Sequence, residues 1–324
     1  MRTLLLIVVA FACLVSAGAE PATLRVGVLA DGESELWTGV QAAIKEKAEE
    51  QHVAIDFRIP EPATAERQNE LALEMLDGGA QALAISPVNP KEQLDALNNL
   101  AEKAPLVAVL RDAPESARVV FIGRDEKEVG RRLARGVLKS LPEGLKVMAF
   151  VRDVDAPDSQ QRIAGFKEEL AKTETVLDAV KEDKGDRMVA WANMEEIILH
   201  RPEIAGFVGF EAYHLPVMAQ VVKETGRARQ VRIVSVGPAP DMRKLVQDGV
   251  VHAVVMEDAD DMSGLLLETL AGLAKKEKEA PGEEAFIAAP LATLETENLM
   301  SVEDVMHEMQ IQVPWISEVA PGAP

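Results

Sequence analysis

Short, continuously apolar runs alternate along this chain with longer stretches whose apolar residues recur every three or four positions. Residues 24–29 are the first such run and predict a strand. Trp37, Val40, Ile44 and Ala48 then share one face of a helix. Residues 53–57 predict a second strand. Leu71, Met75 and Leu76 mark a helix that stops at Gly78-Gly79. Residues 82–85 predict a third strand, followed by Ser86-Pro87 and a helix through Leu94, Leu97 and Leu100. Residues 106–110 predict a fourth. The rhythm resumes at 146–151, 206–210, 232–236 and 252–256, each followed by a helical pattern. Strands alternating with helices of this length imply βαβ units and mostly parallel sheets. The strands are apolar throughout rather than at every second residue, as in sheets covered on both faces. One doubly wound sheet rarely needs so many strands. Two sheets of about five strands, each flanked by helices, suit a chain of 324 residues better. Ile122-Gly123-Arg124-Asp125, near the middle, reads as the crossover between them.

The ends of the chain follow other rules. Arg2, an apolar run over 4–15 and Ser16-Ala17-Gly18-Ala19 before Glu20 form the order of a cleaved secretory signal. The run is shorter than the about 20 residues that span a bilayer. The single Cys, Cys13, lies inside it, and Ala10-Phe11-Ala12 ahead of it is a poor lipobox. The mature chain therefore carries no Cys, which excludes a disulfide framework and a multi-thiolate zinc site. With 34 Lys+Arg against 54 Asp+Glu, the net charge of −20 argues against nucleic acid or an anionic membrane as partner. No other apolar run reaches spanning length, so a soluble, exported product is expected. Residues 274–279 read as a solvated helix end or linker. From 298 onward Val302, Val305, Met306 and Met309 make a short apolar stripe, broken at Pro314, in a tail that should fray at its end.

Ligands of open parallel sheets sit beyond the carboxyl ends of the strands. Asp31, Glu33, Ser34 and Trp37 follow the first strand, and Arg111 and Asp112 the fourth. Arg152, Asp153 and Asp155 follow 146–151, with Arg162 near the head of the next helix. Glu211 follows 206–210, and Glu257 and Asp258 follow 252–256. Charged groups that hydrogen-bond in pairs, beside an aromatic face, suit a polyhydroxylated ligand. Asp153 and Asp258 read instead as helix caps. Other chemistries find no support. The histidines at 52, 200, 214, 252 and 307 form no zincin pair, and there is no G-x-S-x-G elbow or P-loop. Met194, Met218, Met256 and Met262 read as core filler, and Trp191 as a packing residue. No metal or cofactor is expected.

The ordered motifs resemble those of the type 1 periplasmic binding proteins, in particular the ribose-binding branch, from about residue 24 to 275. Residues 82–87 look like the family's apolar strand ending in Ser/Asn-Pro, and 106–112 like its strand ending in a charged pair. Asp125 with Gly130 is similar to its Asp-Asn motif followed within a helical turn or two by Gly, with Glu126 in place of Asn. Arg162-Ile163-Ala164-Gly165-Phe166 resembles its R-x-x-G-F helix start. Asp186 with Pro202, then 206–210, resembles its helix–Pro–strand unit.

The resemblance implies an α/β protein of two Rossmann-like lobes, with parallel sheets, joined by a multi-strand hinge. Lobe one would comprise 20–125 plus 258–284, and lobe two 126–257 plus 285–297. A small polar ligand, a monosaccharide or polyol, would bind between them. Ser34, Trp37, Arg111, Asp112, Arg162, Glu211 and Glu257 are the implied contacts. Arg111 and Arg162 would donate, Asp112, Glu211 and Glu257 accept, and Trp37 stack on the ring. Glu211 and Glu257 stand where the family has uncharged groups, so a neutral or amine-bearing ligand is expected rather than a sugar acid or phosphate. The partners implied are that ligand and the membrane permease of an ABC transporter; the chain would act as a monomer, without catalysis. Two other readings stay open: a ligand-sensing subunit of a membrane receptor, and a regulator core of the lac repressor type.

Overall fold

The computed structural model describes residues 24–228, 231–276 and 286–295. The secretory signal, the tail from 298 and Trp315 lie outside these residues. Twelve strands form two six-stranded sheets. The first sheet holds β1 (Arg25–Leu29), β2 (Ala54–Arg58), β3 (Leu83–Ile85), β4 (Leu106–Val109), β5 (Val120–Gly123) and β11 (Phe286–Ala288), in the order β2-β1-β3-β4-β5-β11. All its pairings are parallel. The second holds β6 (Lys146–Val151), β7 (Val176–Glu182), β8 (Ile204–Gly209), β9 (Arg232–Val236), β10 (Ala253–Glu257) and β12 (Leu291–Glu295), in the order β7-β6-β8-β9-β10-β12. Only β12 runs antiparallel to its neighbour, β10. The first five strands of each sheet share one winding, whose order reverses beside the first strand. Such a reversal opens a crevice at the carboxyl ends of the strands.

Helices cover both faces of both sheets. In the first lobe, α1 (Glu35–Glu50) and α9 (Ala259–Ala274) pack on one face through Trp37, Val40, Ile44, Leu266 and Leu270. α2 (Ala65–Asp77) and α3 (Leu94–Ala101) cover the other through Leu71, Met75 and Leu97. In the second lobe, α4 (Glu126–Ser140) and α5 (Pro157–Leu170) face α6 (Arg187–His200) and α7 (His214–Glu224) across the sheet. Met194, Met218 and Met262 are fully buried, and Trp191 and Met256 pack against a core.

The chain passes between the sheets at Arg124-Asp125, at Asp258 and at Ala289-Pro290. These crossings touch: Ala289 N donates to Gly123 O at 2.6 Å, and Asp258 N to Pro290 O at 2.9 Å. The crossover expected at 122–125 is thus the end of β5 and the first hinge segment. Of the segment 285–297, expected as a whole in the second lobe, the described residues 286–295 are divided between the sheets. Phe286 pairs with Phe121 of β5, whereas residues after Pro290 pair with β10. Pro290 has no N–H to give either ladder, which suits it to the passage between them. The sequence pattern also missed β7. It lies on a half-buried edge and Asp178, Lys181 and Glu182 interrupt its apolar residues, so it lacks the continuous apolar signature of the central strands.

One helix crossing governs where the second lobe's charges lie. α4 and α5 meet at Gly130 and Gly165. A Cβ at Gly165 would lie 1.9 Å from Lys127 O, and one at Gly130 2.0 Å from Arg162 O. The motif glycines are therefore contact glycines, and their approach brings Arg162 of α5 against Glu126 of α4. At an exposed mid-helix site Gly→Ala stabilises by about 1 kcal/mol. Gly165→Ala should reverse the sign and cost about 2 kcal/mol or more by overpacking, read as a lower denaturation midpoint in urea.

Candidate functional site

The first-lobe wall of the crevice is sewn together by neutral amides. Gln68 of α2 is fully buried. Its Nε2 donates to Ala30 O at 2.7 Å and to Ser86 O at 2.8 Å, and its Oε1 accepts from Val88 N at 3.0 Å and Gln93 Nε2 at 2.9 Å. The loops after β1 and β3 are held to each other in this way. Arg111 joins them, donating to Pro87 O at 3.2 Å and Val88 O at 2.5 Å and pairing with Asp31 at 3.3 Å. Leu110 before it has φ +58°, a left-handed conformation that side chains disfavour, and this turns the chain at the end of β4.

Three expected contacts of this lobe have structural duties. Ser34 caps α1, its Oγ accepting from Trp37 N at 3.1 Å. Trp37 is 2% exposed and meets Phe57 edge-on at 6.2 Å. Its indole N–H donates to Asp31 Oδ1 at 2.8 Å. Trp37 thus shows little face to a ring and instead aims Asp31. Asp112 binds Arg118 through both carboxylate oxygens and caps its own loop through Ala113 N. It is not on the wall of the crevice.

The second-lobe wall is built from ions. Arg162 is 3% exposed. Its Nε donates to Glu126 Oε2 at 2.5 Å and its Nη1 to Phe210 O. Nη1 also lies 3.4 Å from Glu211 Oε1, and Nη2 3.6 Å from Asp158. Burial works against its charge, but Glu126, Glu211 and Asp158 outweigh that and hold the pKa above the ordinary arginine value. The expected role of Arg162 as a ligand donor is not what the geometry provides. Its guanidinium is spent inside the lobe, behind Glu211, and it does not line the crevice. Arg124, in the first hinge segment, faces the crevice instead. Its Nε lies 3.1 Å from Glu257 Oε1 and 3.6 Å from Glu126 Oε1. A chain of alternating charge therefore runs from Arg162 through Glu126 and Arg124 to Glu257, which is 6% exposed.

The loop carrying Glu211 is fixed from below. Glu211 N donates to His214 Nδ1 at 3.1 Å, so the ring proton sits on Nε2, 2.7 Å from Asp183 Oδ2. Asp183 also accepts from Tyr213 OH and, at 2.8 Å, from Gly185 N. Burial pushes the Asp183 pKa up, but these donors together hold it below the usual carboxylate value.

Between the walls lies a cavity of about 390 Å³. Ser34, Trp37, Asp31, Ser86 and Arg111 line it from the first lobe, and Arg124, Glu211 and Glu257 from the hinge and second lobe. The structure so brings together Ser34, Trp37, Arg111, Glu211 and Glu257, and leaves out Asp112 and Arg162. Sequence reasoning did not include Ser86 or Arg124 among the contacts. Ser86 ends the Ser-Pro strand motif and its Oγ is buried without a hydrogen-bond partner; Arg124 lies in the segment read as a crossover. Among the described residues no group of His, Cys, Asp or Glu is arranged to hold a metal ion, and no helix is long and apolar enough to cross a membrane.

The profile of the periplasmic binding protein domain family matches residues 26–278. The chain belongs to this family. It is 23% identical over 280 residues to the ribose import binding protein of Escherichia coli (strain K12), covering 82% of this chain and 93% of that protein. Solved structures with the same fold include a sugar-binding protein of a sugar ABC transporter from Bacillus halodurans, with TM-score 0.72, 20% identity and coverage of 86% of this chain and 98% of that one. The arabinose binding protein of Geobacillus stearothermophilus matches with TM-score 0.71 and 21% identity, over 89% of this chain and 99% of that one. A solute binding protein of an ABC transporter from Burkholderia graminis, in complex with D-arabinose, matches with TM-score 0.64 and 19% identity, over 87% and 99%. The type 1 resemblance read from the motifs and the two-lobed α/β architecture are both borne out by these matches.

Two substitutions probe this framework. Arg162→Ala removes the charge that Glu126 and Glu211 share. It should cost about 3–5 kcal/mol of stability, because carboxylates are left in a buried setting without their cation, and chemical denaturation measures the loss. Asp183→Asn replaces an acceptor of three hydrogen bonds and should cost about 2–3 kcal/mol at pH 7. Asp183 has a lowered pKa in the fold, so its contribution is present above the unfolded-state value and is lost as pH falls through the folded one. Melting curves of wild type and variant should therefore differ at pH 7 and draw together as the pH falls below the ordinary carboxylate range.

Proposed function

We propose that this protein is an exported solute-binding protein that captures a small polyhydroxylated ligand between its lobes and delivers it to an ABC transporter. The observation that carries this reading is the polar cavity at the carboxyl ends of both sheets, with walls contributed by both lobes. A ligand there touches both lobes at once, so binding energy favours the closed form, which a permease can distinguish from the open one. The names of its relatives support a sugar as the ligand: one is a ribose import binding protein and another holds D-arabinose. On this reading Ser86, Asp31, Arg111, Arg124, Glu211 and Glu257 face the ligand, while Trp37 and Arg162 position Asp31 and Glu211. The protein acts outside the cytoplasm after loss of residues 1–19, as a monomer, and carries out no chemical step. The first lobe is 20–125 and 258–284 together with β11, and the second is 126–257 together with β12.

Three carboxylates, Asp31, Glu211 and Glu257, line the cavity beside two guanidiniums, Arg111 and Arg124. Arg111 is paired with Asp31, and Arg124 with Glu257. Glu211 Oε1 is buried and accepts no hydrogen bond. An anionic ligand would have to displace one of these pairs and face the remaining carboxylates. Ligand-stripped, refolded protein is therefore expected to be stabilised by neutral or amine-bearing sugars and not by sugar acids or sugar phosphates. A ligand at 100 times its Kd adds about 2.7 kcal/mol, a rise of several degrees in Tm. A thermal-shift panel of pentoses, hexoses, hexosamines, uronic acids and sugar phosphates reads this directly. Stabilisation by the anionic sugars alone would overturn the charge assignment, and no shift from any sugar would overturn the sugar reading.

A further inference from the structure

A second cavity, also of about 390 Å³, lies beside the polar one. The two share Leu36, Pro238 and Glu257, so they meet along that wall. Their chemistry differs. Beyond Glu257 the second cavity is faced by Leu36, Pro238, Met256 and Ala259, with Thr38 at its edge. The exposed Glu35–Arg243 ion pair, at 3.3 Å, also lines it and links the two lobes. Each cavity alone is within the size range of a small-molecule site. A sugar seated among Asp31, Arg111, Arg124 and Glu211 would leave the second space to water, and water there finds few polar partners against Leu36, Pro238 and Met256.

We infer that the ligand carries a short apolar arm: its hydroxylated ring occupies the polar cavity, and its arm passes Glu257 into the space between α1 and the loop after β9. The ligand class is a glycoside, or another polyhydroxylated molecule, bearing an apolar substituent of a few carbons. Leu36 and Thr38 belong to one lobe and Pro238 and Met256 to the other, so the arm is gripped by both and adds to closure. This inference rests on the sugar-binding reading above.

The test is isothermal titration calorimetry on the refolded full chain. The probes are D-ribose, D-arabinose, D-xylose, D-glucose and D-galactose, each free and as its α- and β-methyl and n-butyl glycosides. Each methylene buried is worth roughly fourfold in affinity, so at least one n-butyl glycoside should bind at least about tenfold tighter than its methyl counterpart. Thr38 is exposed on α1 and lines the side cavity but not the polar one. Thr38→Phe should narrow that space, abolish the gain and leave the methyl glycoside within about twofold. Met256→Gln, from the opposite lobe, should cut the gain by making the wall polar. If sugars bind but no n-butyl glycoside gains over its methyl form, the inference is overturned and the sugar reading stands. A gain that survives in both variants places the arm elsewhere and overturns it too. If nothing on the panel binds, the sugar reading fails and takes the inference with it.

Discussion

A guanidinium with almost no solvent contact ties three segments of the second lobe to one point. Arg162 lies on α5, Glu126 on α4 and the Phe210 carbonyl at the end of β8. Removing such a charge from water costs several kcal/mol, and only a full set of acceptors offsets that cost. The cost explains why the surroundings are so constrained. Gly130 and Gly165 must lack side chains for α4 and α5 to approach closely enough, and Glu126 must follow directly on the hinge. From Glu126 the alternation of charge continues to Arg124 and Glu257, which reach the cavity. The cavity-lining ions are thus the outer members of a structure whose centre is buried.

The two walls solve the same problem with different materials. In the first lobe, Gln68 and Gln93 hold the strand-end loops through neutral amides that pair with backbone groups. In the second, Arg162 and the Asp183–His214 pair hold the loop of Glu211. Each set lies within one lobe. Neither wall therefore depends on the other lobe for its shape. The three segments that cross between the lobes hydrogen-bond to one another and leave each sheet's own ladder complete.

Cavity composition follows from that division. Arg111 and Asp31 neutralise each other on one side, and Arg124 and Glu257 on the other. Glu211 is held by a cation whose donors are already engaged. Such a site offers hydrogen-bond acceptors and donors without a free positive charge. Beyond Glu257 the polar groups give way to Leu36, Pro238 and Met256, because there the walls are made by helix and strand surfaces that otherwise pack on cores.

Much of this architecture was legible in the sequence, for a definite reason. The central strands of a sheet covered on both faces must be apolar at every position, and helices packed on one side must be apolar every third or fourth residue. Those demands are local, so β1, β4, β6, β8 and β9 can be read from their own residues. β7 lies on an edge with charged residues interrupting its apolar ones, and β11 is three residues long; neither carries the signal. Strand-end placement likewise identified Arg111, Glu211 and Glu257 as neighbours of a cleft. It could not say which charged side chain faces the ligand and which faces another side chain. Arg162 meets a glutamate 36 residues earlier in the chain, Trp37 turns its ring into the core, and Asp112 is taken by Arg118. A charged or aromatic group at a strand end has several partners within reach, and the lowest free energy among them depends on desolvation and on neighbours distant in sequence. The fold was written in local periodicity; which charges line the cavity and which serve other side chains was decided only when the tertiary structure brought those partners together.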